Sequence, residues 1–362
     1  MAVHERCRAL AGHLDLGPET HFGPEHQEGA RELRILITGS FGNIGESTLL
    51  ALRERNHQVR CFDRKTETTS KKQAQLLRQL SFETMWGDIT NPDNLRAAVE
   101  GTDVIIHLAA ILPPTTEKRP DLARKVNVGG TQNLLEIAKA TGTRPRIVYP
   151  SSVSVYGPRR PQDPSLTADS PLAPTDNYTR HKVECEGMIR ESGLPWTIFR
   201  VTAVPALKLN ADLDFFPFEI PLEQRIEFGH TRDIGTALAN SVEAPTEGRV
   251  FLLGGGKRCQ MTNNEFINGF TVALGIGRLP ASAFRQPQSD DEWYYTDWMD
   301  TADSQELLNY QTRTYEDYLS EMRRGFGPMR YFIRLFAPLV RWRILSASPY
   351  YKHRTVDASY AA

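Results

Sequence analysis

An α/β architecture is predicted for this chain: a doubly wound parallel sheet with helices on both faces, followed by a small C-terminal lobe. Three observations predict it. Short apolar runs alternate with helical patterns from residue 33 to about residue 200. A glycine-rich turn joins the first apolar run to the first helical pattern. The length of 362 residues, with 40% hydrophobic and 24% charged residues, is enough for one large core and an appended lobe.

The elements follow in order. Residues 33–38 (LRILIT) read as a short buried strand, and 46–56 as the helix after it. Residues 58–63 (QVRCFD) form a second strand that ends in an acid, and 103–109 (DVIIHLA) a third that precedes a long helical pattern over 121–141. Then come a strand at 146–150 (RIVYP), a helix at about 176–192 and a strand at 196–201 (WTIFRV). Strands alternating with helices in this way form a parallel sheet covered on both faces. After 203 the pattern loosens into a Pro- and Phe-rich stretch, a strand-like run at 249–253, a helix at 262–275 and an acid-rich, partly helical segment at 289–324. The expected organisation is a polar extension (1–32), a nucleotide-binding core (33–202), a substrate lobe interleaved with the last core strands (203–324) and a basic, aromatic tail (325–362).

Composition excludes several classes. A formal net charge of −1 gives no bulk attraction to nucleic acid. Cys7, Cys61, Cys185 and Cys259 lie far apart without a CxxC pair, which suits a reducing, cytoplasmic setting and supports neither a disulfide framework nor a metal site. His4, His13, His21 and His26 match no metal-binding spacing. Residues 1–32 carry scattered charges and no apolar run, so no secretory leader is expected. No stretch reaches the ~18 apolar residues that a membrane-spanning helix needs.

Gly39, Gly42 and Gly45 lie between a strand and a helix. There the first glycine permits a sharp turn, the next lets backbone approach a pyrophosphate, and the last allows close helix–strand packing. The diphosphate would rest on the helix N-terminus, whose N–H groups and dipole favour anions. Asp63 closes the second strand, where a ribose-binding acid belongs. Its carboxylate favours NAD over NADP, while Arg64 and Lys65 keep NADP open. The segment Asn177–Lys182 (NYTRHK) puts the Tyr178 phenol and the Lys182 ammonium four residues apart, on one face of a helix.

Taken together with a serine after the strand at 146–150, these stretches resemble the extended short-chain dehydrogenase/reductases, the NAD-dependent epimerase/dehydratase family, over about residues 33–320. Thr38 to Gly45 (TGSFGNIG) is similar to the family's TGxxGxxG, Gly87-Asp88-Ile89 to its GD(I/L), and His107-Leu108-Ala109-Ala110 to its HxAA. Asn127 sits in a VNxxGTxN-like run, Ser151 to Gly157 matches SSxxxYG, and Tyr178 with Lys182 matches YxxxK. The resemblance implies a Rossmann-type fold and an enzyme that transfers hydride at an alcohol or ketone carbon. Ser152, Tyr178 and Lys182 are its expected catalytic residues. Ser152 would hold the substrate oxygen while Tyr178 moves the proton. Lys182 and an oxidised nicotinamide ring would together lower the Tyr178 pKa, and Lys182 would bind the nicotinamide ribose. Around the cofactor the resemblance sets Gly39, Phe41, Gly42, Asn43, Ile44 and Gly45, then Asp63, Arg64, Asp88 and Ile89, and Leu108, Ala109, Ala110 and Asn127. Around a small-molecule substrate it sets Ile111, Thr115, Ser152 and Ser154.

Departures from the family pattern bear on the substrate. Ala203 stands where nucleotide-sugar members have an asparagine, and only residues 201–229 separate Arg200 from His230-Thr231-Arg232-Asp233. Asp214 to Phe218 is more aromatic than a diphosphate pocket requires. These features point to a smaller or more apolar alcohol or ketone. A nucleotide-sugar epimerase or dehydratase is the alternative, and a cofactor-binding sensor or scaffold without turnover a second one. The tail at 326–345 reads as a basic amphipathic helix bent at Pro338, with Arg330, Arg334 and Arg341 on one face. It is expected to serve as a peripheral membrane contact or to cover the core or a dimer interface, and under the first reading its removal after Gly325 leaves the fold intact.

Overall fold

The computed structural model describes residues 31–53, 55–206 and 218–351. The polar extension with its four histidines and Cys7, and Asp214 to Pro217 of the aromatic segment, lie outside the described residues. Leu33 onward forms one compact unit.

Its strands are β1 (Arg34–Thr38), β2 (Gln58–Asp63), β3 (Glu83–Trp86), β4 (Val104–His107), β5 (Arg146–Ser152), β6 (Trp196–Val201), β7 (Arg225–Glu227), β8 (Arg249–Leu253) and β9 (Gln260–Thr262). The helices are α1 (Asn43–Leu52), α2 (Glu67–Leu76), α3 (Pro92–Val99), α4 (Thr115–Lys118), α5 (Pro120–Arg124), α6 (Gly130–Ala140), α7 (Asn177–Glu191), α8 (Thr231–Asn240), α9 (Asn263–Ala273), α10 (Ala302–Leu308), α11 (Tyr315–Phe326), α12 (Met329–Leu335) and α13 (Ala337–Ser346). The main sheet has seven parallel strands in the order β3-β2-β1-β4-β5-β6-β8, and β7 pairs with β9 in a small antiparallel sheet.

Period-two alternation splits the core in two. Ile35, Ile37, Cys61, Ile106, Val148, Phe199 and Phe251 face α1 and α8 on one side of the sheet. Leu36, Phe62, Ile105, Ile147, Tyr149 and Ile198 face α3, α6 and α7 on the other. Both faces are buried, which is why the strands read as nearly continuous apolar runs. Helix α8 lies directly against α1: Ser47 and Thr231 hydroxyls share a hydrogen bond of 3.0 Å, and a Cβ at Gly235 would come within 2.5 Å of Ser47 backbone. Strand order reverses between β1 and β4, so the crevice at their C-terminal ends is the place for a ligand.

Two expectations need correction here. The helical pattern over 121–141 is present, but it passes from α5 to α6 through a π-helical turn, Lys125–Gly129. The tail is not one bent helix but two, α12 and α13, separated at Phe336. Its inner side is packed: Ile344 and Leu345 are buried in a lobe core with Leu279, Ala283 and Phe284, and Ile333 and Val340 pack against it. Phe218, the last residue of the aromatic segment, belongs to the same cluster. Removing everything after Gly325 therefore uncovers core. Among the described residues, no helix is long and apolar enough to cross a membrane.

Candidate active site

The glycine turn is built as its sequence requires. Gly39 has φ +69°, and a Cβ there would lie 2.8 Å from the Ala109 backbone nitrogen after β4. Gly45 brings α1 against the turn, with Ser40 carbonyl oxygen 2.5 Å from where a Cβ would sit. The N-cap of α1, Gly42, has no side chain to cap the first N–H groups of the helix.

This helix start opens on a cavity of about 500 Å³ in the β1/β4 crevice. Its walls include the turn (Gly39, Phe41 to Gly45), Asp63 with Arg64, Asp88 with Ile89, Leu108 to Ile111, and Ser152, Tyr178 and Lys182. The structure thus brings together most of the residues expected from the sequence, drawn from six separate segments. Three lie differently. Asn127 is buried, with its amide clamped on the backbone of Ile111: Ile111 N–H donates to Oδ1 at 2.7 Å, and Nδ2 donates to the Ile111 carbonyl at 2.9 Å. Ser154 is buried behind Ser152, hydroxyl to hydroxyl at 2.7 Å. Thr115 is exposed at the start of α4, outside the cavity wall.

Asp63 has two structural tasks. Its Oδ2 accepts the Phe41 N–H at 2.9 Å and its Oδ1 accepts the Arg64 N–H at 2.8 Å. Burial pushes its carboxyl pKa up against the pull of these donors. Arg64 turns outward toward Asp88, 3.9 Å away. His107 of the HxAA run is a buried brace. Its Nδ1 meets Thr38 Oγ1 at 2.8 Å and its Nε2 meets Thr131 Oγ1 at 2.9 Å, joining β1, β4 and α6. Burial, and then the Lys182 charge, push its pKa down to about 3, so the ring is neutral.

Helix α7 delivers the phenol and the ammonium. Its capping box sets the first turn: Asp176 Oδ1 accepts the Thr179 N–H at 2.7 Å, and the Asp176 N–H donates to Thr179 Oγ1 at 3.1 Å. Tyr178 falls in that turn and Lys182 one turn later. Glu117 of α4 accepts from Asn177 twice, and Arg124 of α5 makes a fork to Glu184 with both arms at 2.8 Å, so α4 and α5 hold α7 against the cavity.

The Lys182 Nζ donates to the Pro150 carbonyl at 2.7 Å and lies 4.5 Å from the Tyr149 ring centroid and 5.8 Å from that of Tyr178. Burial pushes the Lys182 pKa down to about 8. Tyr178 is pushed up to about 12 by burial, offset in part by its hydrogen bond with Ser152. The expected lowering belongs to the cofactor-bound state; in the free protein the ammonium is directed at Pro150 and Tyr149, and desolvation governs Tyr178.

Sequence reading missed Pro150, Ser151, Thr202 and Val204, which also line the cavity. They follow from topology, because the C-terminal ends of β5 and β6 open on the same crevice as those of β1 and β4. A nicotinamide dinucleotide fits the residues present. The α1 N-cap contributes no capping bond, Gly42 leaves room beside the turn, and Ser151, at the cavity wall, has a buried Oγ without a partner among the described residues.

Residues 35–207 match the model of the NAD dependent epimerase/dehydratase family. The chain is 39% identical over 127 residues to the 3 beta-hydroxysteroid dehydrogenase/Delta 5→4-isomerase of Mycobacterium tuberculosis, covering 34% of this chain and 32% of that protein. It is 32% identical over 195 residues to sterol demethylase protein B of Methylococcus capsulatus, covering 51% of this chain and 57% of that one. The chain thus spans less than two thirds of the length of these relatives. Its fold is similar to that of the dTDP-glucose 4,6-dehydratase of Streptomyces venezuelae, with a TM-score of 0.68, 24% identity and coverage of 83% and 98% of the two chains. Over residues 35–207, whose turn, acid and Ser152–Tyr178–Lys182 grouping meet in one crevice, the chain is similar to the NAD dependent epimerase/dehydratase family.

Proposed function

We propose that the protein is an NAD-dependent oxidoreductase that acts at an alcohol or ketone carbon of a small, largely apolar substrate. One observation carries the reading: Ser152, Tyr178 and Lys182 converge on the crevice that the glycine turn opens. Bound NAD supplies the hydride acceptor. Asp63, with its carboxylate already ordered by Phe41 and Arg64, binds the adenosine ribose and disfavours a 2′-phosphate. Ser152 holds the substrate oxygen, and Tyr178 accepts its proton as the alcohol is oxidised and returns it in the reverse direction. Lys182 binds the nicotinamide ribose and supplies the positive charge that stabilises the phenolate once its ammonium is drawn toward the ring.

The preference for an apolar substrate is supported by Ile111, Leu112 and Val204 along the cavity, by Ala203 in place of a diphosphate-binding asparagine, and by similarity to hydroxysteroid and sterol enzymes. The division into a cofactor core over 33–202 and a substrate lobe over 203–324 belongs to this reading. So does a reducing, cytoplasmic setting, supported by the buried free thiols of Cys61, Cys185 and Cys259.

The test is nicotinamide absorbance with purified protein, NAD and a panel of sterol-like and simpler secondary alcohols, with UDP- and dTDP-sugars run beside them. NADH formation with an apolar alcohol, absent in Tyr178→Phe, is the expected result. Turnover of nucleotide sugars alone would replace the substrate class. Tight NAD binding with no turnover of any compound would support the sensor reading instead.

A further inference from the structure

The described surface exposes eleven large hydrophobic side chains, and seven of them fall within residues 329–342. Among these, Phe332, Leu335, Phe336, Leu339 and Trp342 are each more than half exposed, with Leu335 at 72%. They stand on α12, on α13 and at Phe336 between them, and the opposite side of the two helices is fixed to the lobe by Ile333, Val340, Ile344 and Leu345. The apolar patch is therefore held outward by packing beneath it. Soluble surfaces rarely gather such side chains without an occupant.

The same segment is strongly one-signed. From Met322 to Tyr351 there is no acidic residue, and there are six arginines: Arg323, Arg324, Arg330, Arg334, Arg341 and Arg343. Arg330 lies 4.9 Å over the Tyr331 ring and donates to its hydroxyl at 2.9 Å. Self-association through this face would set cation against cation with no acid to offset it. Aromatic side chains beside arginines match the headgroup layer of an anionic bilayer, where rings sit at the apolar boundary and guanidinium groups meet phosphate. The break at Phe336 leaves helices of 7 and 10 residues, which suits lying in the surface plane and not crossing it.

We propose that α12 and α13 form a docking face that lies in the interfacial layer of an anionic lipid membrane. The inference does not depend on the reading of the active site. Full-length protein is spun down with phosphatidylcholine vesicles that do or do not contain phosphatidylserine. Sedimentation is expected with the anionic vesicles, weakening as salt rises. The pair Arg324→Glu and Arg334→Glu, both on exposed side chains, should lower the partition at least about tenfold. The set Phe332→Ser, Leu335→Ser, Leu339→Ser and Trp342→Ser should lower it further, with the melting temperature unchanged. If the serine set melts early, the exposed arginine pair decides alone. Failure to sediment with anionic vesicles overturns the proposal. So does partition that the arginine pair leaves unchanged. Analytical ultracentrifugation showing a dimer that the serine set dissociates would assign the face to a second copy and overturn it equally.

Discussion

Replacing Lys182 with methionine should stabilise the free protein by an amount that depends on pH. Lys182 is 7% exposed, and burial holds its pKa near 8 against an ordinary 10.5. Below about pH 8 both folded and unfolded chains keep the proton, and the folded state bears the full cost of a buried cation. Between about 8 and 10.5 only the unfolded chain keeps it, so the cost fades; above that range it is gone. A depression of this size corresponds to about 3 kcal/mol at neutral pH. The methionine has no proton to lose, so its advantage over the parent should shrink by about 2 kcal/mol between about pH 7.5 and about pH 9.5. Loss of the bond to the Pro150 carbonyl lowers the variant's stability by a similar amount at both pH values and cancels from the comparison. Urea unfolding of both apo proteins, followed by circular dichroism at the two pH values, measures it. A gap that stays constant, or widens as pH rises, would refute the claim that the lysine is held in a desolvated site against its charge.

Asp63→Ala should weaken NAD binding and narrow the margin over NADP, as read by fluorescence titration of both nucleotides; tighter NADP binding by the unaltered protein would mean that Arg64 and Lys65 dominate. Tyr178→Phe should reduce turnover about 100- to 10,000-fold with little change in cofactor affinity, since it removes only the oxygen that carries the proton. Full activity in that variant on an identified substrate would remove Tyr178 from the mechanism. Truncation after Gly325 should lower the melting temperature, because it strips Ile344 and Leu345 from a packed core at about 2–5 kcal/mol for each such side chain. An unchanged melt would show that α13 adds nothing to the lobe.

The main sheet was legible because both its faces are buried and the apolar runs repeat at regular intervals. The Ser152–Tyr178–Lys182 grouping and the glycine turn were legible because the resemblance that predicts them rests on fixed spacings. The stretch 64–100 was not: α2 presents only Leu76 to the core, and β3 has no fully buried residue, so neither shows a clear period. Helix α8 has no separate signal in the sequence, because it begins inside the His230–Asp233 run. Asp233 accepts from the backbones of Thr312 and Arg313 and pairs with the Arg313 side chain. The direction of the Lys182 ammonium was beyond sequence altogether, since it depends on a carbonyl that β5 happens to present.

The π turn at Lys125–Gly129 has a consequence for how this chain tolerates changes in length. A wider turn holds one residue more than a regular helix would need to cover the same rise, and Asn127 sits inside it. Deleting a single residue there would restore ordinary winding and rotate Asn127 away from Ile111, leaving the loop at the cavity wall without either strut of its amide clamp. Asn127→Asp would fail more quietly, by facing the Ile111 carbonyl with a second acceptor. Variation in this helix is thus limited by residue count as well as residue type, and a chain one residue shorter here would have to secure the entrance to its crevice by other means.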